Sequence, residues 1–118
     1  MRVQALRIPC KNLAQAETFY ARALGRAKSF GDPGQGFVGF ALDNVTVLVE
    51  QQDPDEFESG RYLGFSLAVD DIDDYYHRGV DDGLPFLHAP ERQPWGGTMT
   101  HVRDDDGNVF SIVQMSDD

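Results

Sequence analysis

The sequence predicts an α+β fold built from two βαβββ modules in tandem, and two observations lead to that prediction. A strand, a helix and further strands occur in the same order in both halves of the 118-residue chain. Residues 44–49 (NVTVLV) also resemble residues 108–113 (NVFSIV), and such internal repetition indicates a repeated structural unit. We therefore expect a single domain over residues 1–118, with module 1 at about 1–52, a polar linker at 53–61 and module 2 at about 62–118.

The first half has clear start and stop signals. Residues 2–8 alternate as a strand does, and Pro9 is expected to end it. Asn12 is a good helix N-cap, and Gly25 is a suitable residue to close a helix whose apolar side chains recur at helical spacing. After the glycine-rich stretch that follows, we predict further strands over residues 37–42 and 45–49.

The second half repeats this order. Residues 62–69 are predicted to form a strand, and Asp71 to cap a helix that ends near Gly83. A short strand is expected at residues 85–87. The chain then closes with a β-hairpin, because the turn at residues 106–108 (Asp-Gly-Asn) contains residues that tolerate a positive φ.

Composition excludes several classes of protein. The net charge of −10 argues against nucleic-acid binding, which needs clustered lysine and arginine. The acidic residues are those of solvated loops and helix starts; the alternative is that their field favours a cationic ligand. No apolar run is long enough to cross a bilayer, so we expect no membrane association. The N-terminus lacks the apolar core of a signal peptide, and Cys10 is the single cysteine; both features predict a cytoplasmic protein.

The final hairpin carries a resemblance to a known family. Trp95 stands beside Gly96-Gly97 and is followed by the aspartate-rich turn and a terminal strand. This resembles the last hairpin of the vicinal oxygen chelate superfamily, which contains glyoxalase I, bleomycin-resistance proteins, fosfomycin-resistance enzymes and extradiol dioxygenases. One departure is Asp105, where the family usually has proline. The resemblance implies paired modules that form an open barrel-like cup, and a homodimer.

The resemblance also locates a metal site that this chain lacks. The family's metal enzymes hold a divalent ion with His, Glu or Gln side chains from four strands. The corresponding positions here are assigned to Ala5, Val47, Phe65 and Ser111. None of these is a good metal ligand, so we predict no metal and no cofactor. The same four residues are then candidates for lining an apolar binding surface with one hydroxyl group.

Four more residues are candidate ligand contacts. Trp95 is either a stacking platform or a plug in the core or at the dimer interface, and Phe40 would add aromatic surface or belong to the core. His101 either faces the binding surface or is structural. Arg7 should lie on the same side of its strand as Ala5, where it either binds an anionic group or pairs with Glu50.

These features predict a metal-free small-molecule binding protein that holds a hydrophobic or aromatic ligand, whether neutral or cationic. Sequestration of a drug, as in bleomycin resistance, is the specific form of this hypothesis. The alternative is a lyase or isomerase of the same superfamily. It would use a non-standard metal site or acid–base chemistry by His101, Glu50 or Arg7.

Overall fold

The computed structural model describes residues 1–115, which form two compact units. The first contains Met1–Arg61 together with Asp105–Gly107, and the second contains Tyr62–Asp104 and, of the described residues, 108–115. Within the described residues each unit holds one α-helix and one four-stranded sheet, and the first also has a short 3₁₀ helix at Pro33–Gln35. The predicted α+β fold with two βαβββ modules is confirmed. The stretch at 53–61, expected to be a linker, belongs to the first unit.

The first module has its strands in the spatial order β1-β4-β3-β2. Strand β1 runs parallel to β4, and the remaining pairs are antiparallel. Its elements are β1 (Ala5–Cys10), α1 (Leu13–Leu24), β2 (Phe30–Asp32), β3 (Phe37–Ala41) and β4 (Thr46–Gln51).

The second module repeats this topology, with the spatial order β5-β8-β7-β6 and β5 parallel to β8. Its elements are β5 (Tyr62–Ala68), α2 (Ile72–Asp81), β6 (Glu91–Arg92), β7 (Thr98–Arg103) and β8 (Val109–Gln114). Among residues 1–115, neither helix combines the length and apolar character required to cross a membrane.

Both helices begin at the residues that the sequence indicated. The Asn12 side chain accepts a hydrogen bond from the backbone N–H of Gln15 at 3.1 Å, and Asp71 accepts one from Asp74 at 3.0 Å. Each bond satisfies one of the amide groups that a helix N-terminus leaves without an intrahelical partner. Helix α1 ends at Gly25, whose φ of 69° is in the left-handed region that favours glycine.

Two predicted boundaries are wrong. Strand β1 continues through Pro9, because β1 is an edge strand and a proline there need not donate a hydrogen bond to a neighbouring strand. The strand expected at residues 85–87 is reduced to a single bridge between Phe86 and Val102. The short edge strand β6 lies later instead, at Glu91–Arg92.

Each sheet has a helix face and a front face, which is the opposite side. In the first module α1 packs against β3 and β4, and alternate strand residues are fully buried with the apolar side of the helix. In the second module the Gln114 side chain accepts a hydrogen bond from the backbone N–H of Ile72 on α2. The side of β8 that carries Gln114 therefore faces the helix. The buried strand residues of the helix faces include Ile8, Val38, Phe40, Val47, Val49, Val102, Phe110 and Ile112.

Candidate functional site

The front face of the first module carries two of the candidate residues. In the parallel β1–β4 pair, Ala5 lies beside Thr46 and Arg7 beside Leu48. The next pair, Leu6 with Val47, points to the helix face, since side chains alternate along a strand. Arg7 therefore shares the front face with Ala5, as alternation predicted.

Arg7 is engaged in an ion pair. Its Nε donates to Glu50 Oε2 at 3.1 Å, and its terminal nitrogen bonds to the other carboxylate oxygen. The hydrogen bond and the negative charge of Glu50 raise the pKa of Arg7. The guanidinium also lies 4.9 Å from the centroid of the Phe57 ring, and that of Arg61 lies 5.2 Å from it. Of the two roles left open by the sequence, the structure shows the one in which Arg7 pairs with Glu50.

Val47 and Phe40 are on the wrong side of the sheet to line a binding surface with Ala5. They are direct neighbours in the β3–β4 register, both point to the helix face, and both are 0% exposed. For Phe40 the structure shows the core role, which the sequence had left open. Val47 was chosen by matching the two halves by sequence similarity. The sequence match pairs Val47 with Ser111, but by position in their strands it is Leu48 that corresponds to Ser111. Because side chains alternate along a strand, this difference of one residue moves the assignment from the front face to the helix face. The front-face residue of β4 is Leu48.

Phe65 is likewise misplaced in the prediction. Its ring stacks on that of Phe110, with centroids 6.2 Å apart and an interplanar angle of 19°, on the helix face. The β5–β8 register shifts between Tyr62 and Ser66, where Gly64 has a φ of 76°. This bulge changes which residues face forward. The front-face residue is therefore Ser66, which lies beside Ser111.

The second front face carries a pair of hydroxyl groups. Ser66 Oγ and Ser111 Oγ are 2.6 Å apart. Ser111 Oγ also donates to the backbone oxygen of Phe65 at 3.1 Å. Because a hydroxyl has one hydrogen, Ser66 must be the donor in the bond between the two serines. Ser66 is exposed, whereas Ser111 is buried.

His101 also lies on this front face, directly opposite Ser111 in the β7–β8 register. Its Nδ1 is 2.8 Å from Nε2 of His88, and Nδ1 of His88 is 2.7 Å from the backbone oxygen of Ala89. Partial burial and the neighbouring His88 lower the pKa of His101. The sequence did not indicate this pair, because the two histidines are separated by 13 positions and meet only through the loop before β6.

Trp95 is half-exposed, with 51% of its surface accessible, so it is not a plug in the core of this chain. Its ring covers Gly97, where an added Cβ would come within 2.0 Å of the indole. Phe30 has a comparable position in the first module. It is 45% exposed and covers Gly39, its cross-strand neighbour. The sequence analysis missed Phe30; an aromatic residue paired with a strand glycine would have been the signal.

The front-face residues do not fit the metal site of the resembled enzymes. On the front faces at or next to the positions that the family resemblance assigns to metal ligands, the structure presents the side chains of Ala5, Leu48, Ser66 and Ser111. Alkyl and hydroxyl groups are poor ligands for zinc, nickel, manganese or iron. Within residues 1–115, no group of three or more His, Cys, Asp or Glu side chains is arranged to hold a metal ion.

Comparison with known proteins agrees with the fold. Residues 2–112 match the model of the Glyoxalase/Bleomycin resistance protein/Dioxygenase superfamily. The chain belongs to this superfamily. One relative within it is a bleomycin resistance protein from Klebsiella pneumoniae, which is 38% identical over 115 residues, covering 91% of this chain and 87% of that protein.

Two solved structures of the superfamily's fold extend the comparison. A superfamily member from Sphaerobacter thermophilus DSM 20745 is 31% identical, with a TM-score of 0.83 and 97% of each chain covered. TnmS3, an antibiotic binding protein from Streptomyces sp. CB03234, is 26% identical, with a TM-score of 0.79, 98% of this chain covered and 97% of TnmS3. Relatives of this chain thus include proteins of antibiotic resistance and antibiotic binding.

Proposed function

We propose that this chain binds a small, aromatic or hydrophobic, cationic molecule without a metal ion, and that its biological effect is sequestration of an antibiotic of the bleomycin type. The observation that carries the proposal is the chemistry of the front faces. At or next to the positions that the family resemblance assigns to metal ligands, these faces carry alkyl and hydroxyl side chains. Such surfaces hold ligands by burial and hydrogen bonding rather than by coordination.

Two further observations support the cationic, aromatic ligand. The net charge of −10 attracts cations over a distance and raises their rate of association. Trp95 offers a half-exposed indole, which is the best side chain for stacking on a planar group or binding a cation over its face. The 38% identity with the Klebsiella bleomycin resistance protein makes bleomycin the first ligand to test.

Tryptophan fluorescence provides the test. Trp95 is the only tryptophan, so a change in its emission on adding bleomycin reports binding near that residue. We expect saturable quenching. Trp95→Phe lacks the indole emission and serves as the control for light absorption by the drug. Binding of bleomycin to this variant is measured by calorimetry. Bleomycin that produces no saturable change in fluorescence and no heat would contradict the proposed function.

The absence of a metal requirement is tested separately. Purified protein should contain no stoichiometric zinc, nickel, manganese or iron by elemental analysis. Its thermal stability should be unaffected by EDTA, because a metal held by the folded state would add to stability by mass action. One tightly bound equivalent of a transition metal per chain would contradict this part of the proposal.

The proposal includes a homodimer, as the family resemblance implies. Half-exposed or exposed side chains such as Tyr62, Trp95 and Met115 are available to an interface. We expect light scattering to give the mass of two chains at micromolar concentration. A single-chain mass would contradict the dimer while leaving the ligand-binding proposal to the fluorescence test.

One observation favours an enzyme as the second candidate. Arg7 and Glu50 form an ion pair with each other, whereas His101 has a second ring nitrogen that could transfer a proton. Sequestration predicts that bleomycin is recovered unchanged, by mass spectrometry, after incubation with the protein. A chemically altered drug that is not produced by His101→Gln would establish acid–base catalysis instead.

A further inference from the structure

The serine pair and the histidine pair of the second module share one property: the group that each presents to a ligand offers a lone pair rather than a hydrogen. For Ser66 this follows from the hydroxyl chain. Ser111 gives its hydrogen to the Phe65 carbonyl, so Ser66 must give its own to Ser111. What Ser66 Oγ can still offer a ligand is therefore an acceptor, and its residue is exposed.

The histidine pair leads to the same result. A carbonyl oxygen can only accept, so His88 carries a hydrogen on Nδ1, which it donates to Ala89. In the neutral ring, Nε2 of His88 is then an acceptor, and the 2.8 Å contact requires His101 to donate from Nδ1. Neutral His101 consequently has no hydrogen on Nε2. Its lowered pKa favours this neutral form near pH 7.

Nε2 of His101 is reachable from solvent. Every buried side-chain nitrogen or oxygen in the described part of the chain has a hydrogen-bond partner. Within residues 1–115 the only hydrogen bond of His101's ring is the one made by Nδ1. The outer nitrogen is therefore not buried, and a ligand can approach it.

Adding one proton to the histidine pair changes Nε2 of His101 from a hydrogen-bond acceptor to a donor, whichever ring takes the proton. If His101 takes the proton, Nε2 becomes N–H. If His88 takes it, His88 donates from Nε2, so His101 must accept at Nδ1 and carry its hydrogen on Nε2. In both cases the same atom changes from acceptor to donor.

We propose that the second front face recognises its ligand through N–H or O–H groups donated to His101 Nε2 and Ser66 Oγ, and that uptake of one proton by the His88–His101 pair reverses the first contact and weakens binding. This inference rests on the proposed function and names the ligand class: an amine, amide, guanidinium or hydroxyl compound. His101, Ser111 and Ser66 lie on three adjacent strands. At about 4.8 Å per strand, a ligand that reaches both acceptors must span roughly 10 Å.

The surrounding charges are few. Glu91 on β6 has a carboxylate oxygen 3.9 Å from Nδ1 of His88. Arg103 lies two residues along β7 on the same face as His101, and Tyr62 stands at the far end of β5. The neighbouring front-face residues of β8 are Val109, Ser111 and Val113, which do not titrate near neutral pH. Of the side-chain types named here, histidine is the one whose charge ordinarily changes between about pH 5 and 8.

Nitrogen NMR of the imidazole rings tests the protonation states without a ligand. Near pH 8 we expect hydrogen on Nδ1 of both rings and none on Nε2 of His101, and on acidification a hydrogen should appear at that Nε2. His77→Gln, which removes an exposed histidine of α2, is the matched control and should leave these signals unchanged. A hydrogen on Nε2 of His101 at pH 8 would overturn the proposed acceptor.

Bleomycin binding tests the recognition step. His101→Gln should weaken binding by about three- to tenfold near pH 8, as expected for one hydrogen bond, and Ser66→Ala by a similar factor. The ratio of wild-type to His101→Gln affinity should fall as the pH drops through the imidazole range. Taking this ratio cancels any ionisation of the drug itself, and His77→Gln should follow the wild type.

The outcomes separate the two proposals. If the ratio of wild-type to His101→Gln affinity does not change with pH, or if the two affinities are equal at pH 8, the recognition role of His101 is overturned. The proposed binding of bleomycin is not affected by either result. If the wild type does not bind bleomycin at any pH, the proposed function fails and the recognition role fails with it. The NMR experiment then tests only whether Nε2 of His101 gains a hydrogen on acidification.

Discussion

The two modules have the same topology and carry different chemistry on their front faces. In the first module the front face holds an ion pair, Arg7 with Glu50, and the arginine lies over Phe57. In the second it holds the two serines and His101, which offer acceptors. The helix faces of both modules are mainly apolar and buried, with Thr100 as a buried polar residue in the second. The repeated backbone is thus maintained by the helix faces, and the front faces are free to differ.

This comparison gives each residue a role that depends on its face rather than on its similarity to a residue in the other half. A helix-face residue should affect stability, and a front-face residue should affect binding. Exchanging residues between these two classes is the most direct way to break the comparison.

The largest expected effect is on a helix-face residue for which the sequence left open a ligand contact or a place in the core. Phe40 is fully buried, so Phe40→Ala should reduce the free energy of unfolding by about 3–5 kcal/mol through lost burial and a new cavity. Phe37 lies on the front face of the same strand, and Phe37→Ala should cost clearly less. Urea denaturation measures both. A Phe40→Ala protein of normal stability with weakened ligand binding would favour the ligand contact instead.

The next effect concerns the two aromatic rings that cover glycines. Trp95→Ala should weaken bleomycin binding about tenfold, through loss of stacking and of the area that the indole buries, and should cost little stability because Trp95 is half-exposed. Phe30→Ala is the control from the first module. Equal losses of affinity in the two variants would mean that the modules do not differ as proposed.

Gly97→Ala sharpens this test without removing the indole. The added methyl group would collide with the ring, so the ring must move and the fluorescence of Trp95 should change. Gly34→Ala is the matched control, since nothing lies within 4 Å of its added Cβ. Identical emission spectra of Gly97→Ala and the wild type would contradict the placement of the ring.

The smallest expected effect is the dependence of stability on pH. The pKa of His101 is lowered in the folded chain, so the unfolded chain binds a proton more readily. The resulting contribution to stability is complete above the ordinary imidazole pKa of about 6.5 and is lost as the pH falls towards the lowered value. His101→Gln should therefore lose less stability on acidification than the wild type does. Parallel denaturation curves for the two proteins from pH 8 to 5 would contradict this.

Local signals in the sequence were sufficient for most of the fold. Asn12, Gly25 and Asp71 mark helix ends by chemistry that acts within a few residues, and the structure shows each of them in that role. The repeated order of elements was readable for the same reason. The end of β1 was misjudged because the tolerance of a strand for Pro9 depends on whether it lies at an edge, which is a property of the sheet.

The candidate surface was less predictable, because it depends on register. The sequence indicated Val47, but the front-face residue of β4 is its neighbour Leu48. It indicated Phe65 on β5, but the bulge around Gly64 places Ser66 on the front face instead. Ala5 and Ser111 lie on the front faces of their sheets, and their contact with a ligand stays a prediction. The pairing of His88 with His101 needed the path of the loop before β6, which carries no local signal in the sequence.

The central claim, that a metal-free chain binds a drug of the bleomycin type, is tested most directly by calorimetric titration of bleomycin into wild-type protein in the presence of EDTA. The account predicts saturable binding whose affinity the chelator does not change, and which Trp95→Ala weakens about tenfold. Absence of binding with EDTA, restored on adding a transition metal in excess of the chelator, would contradict it.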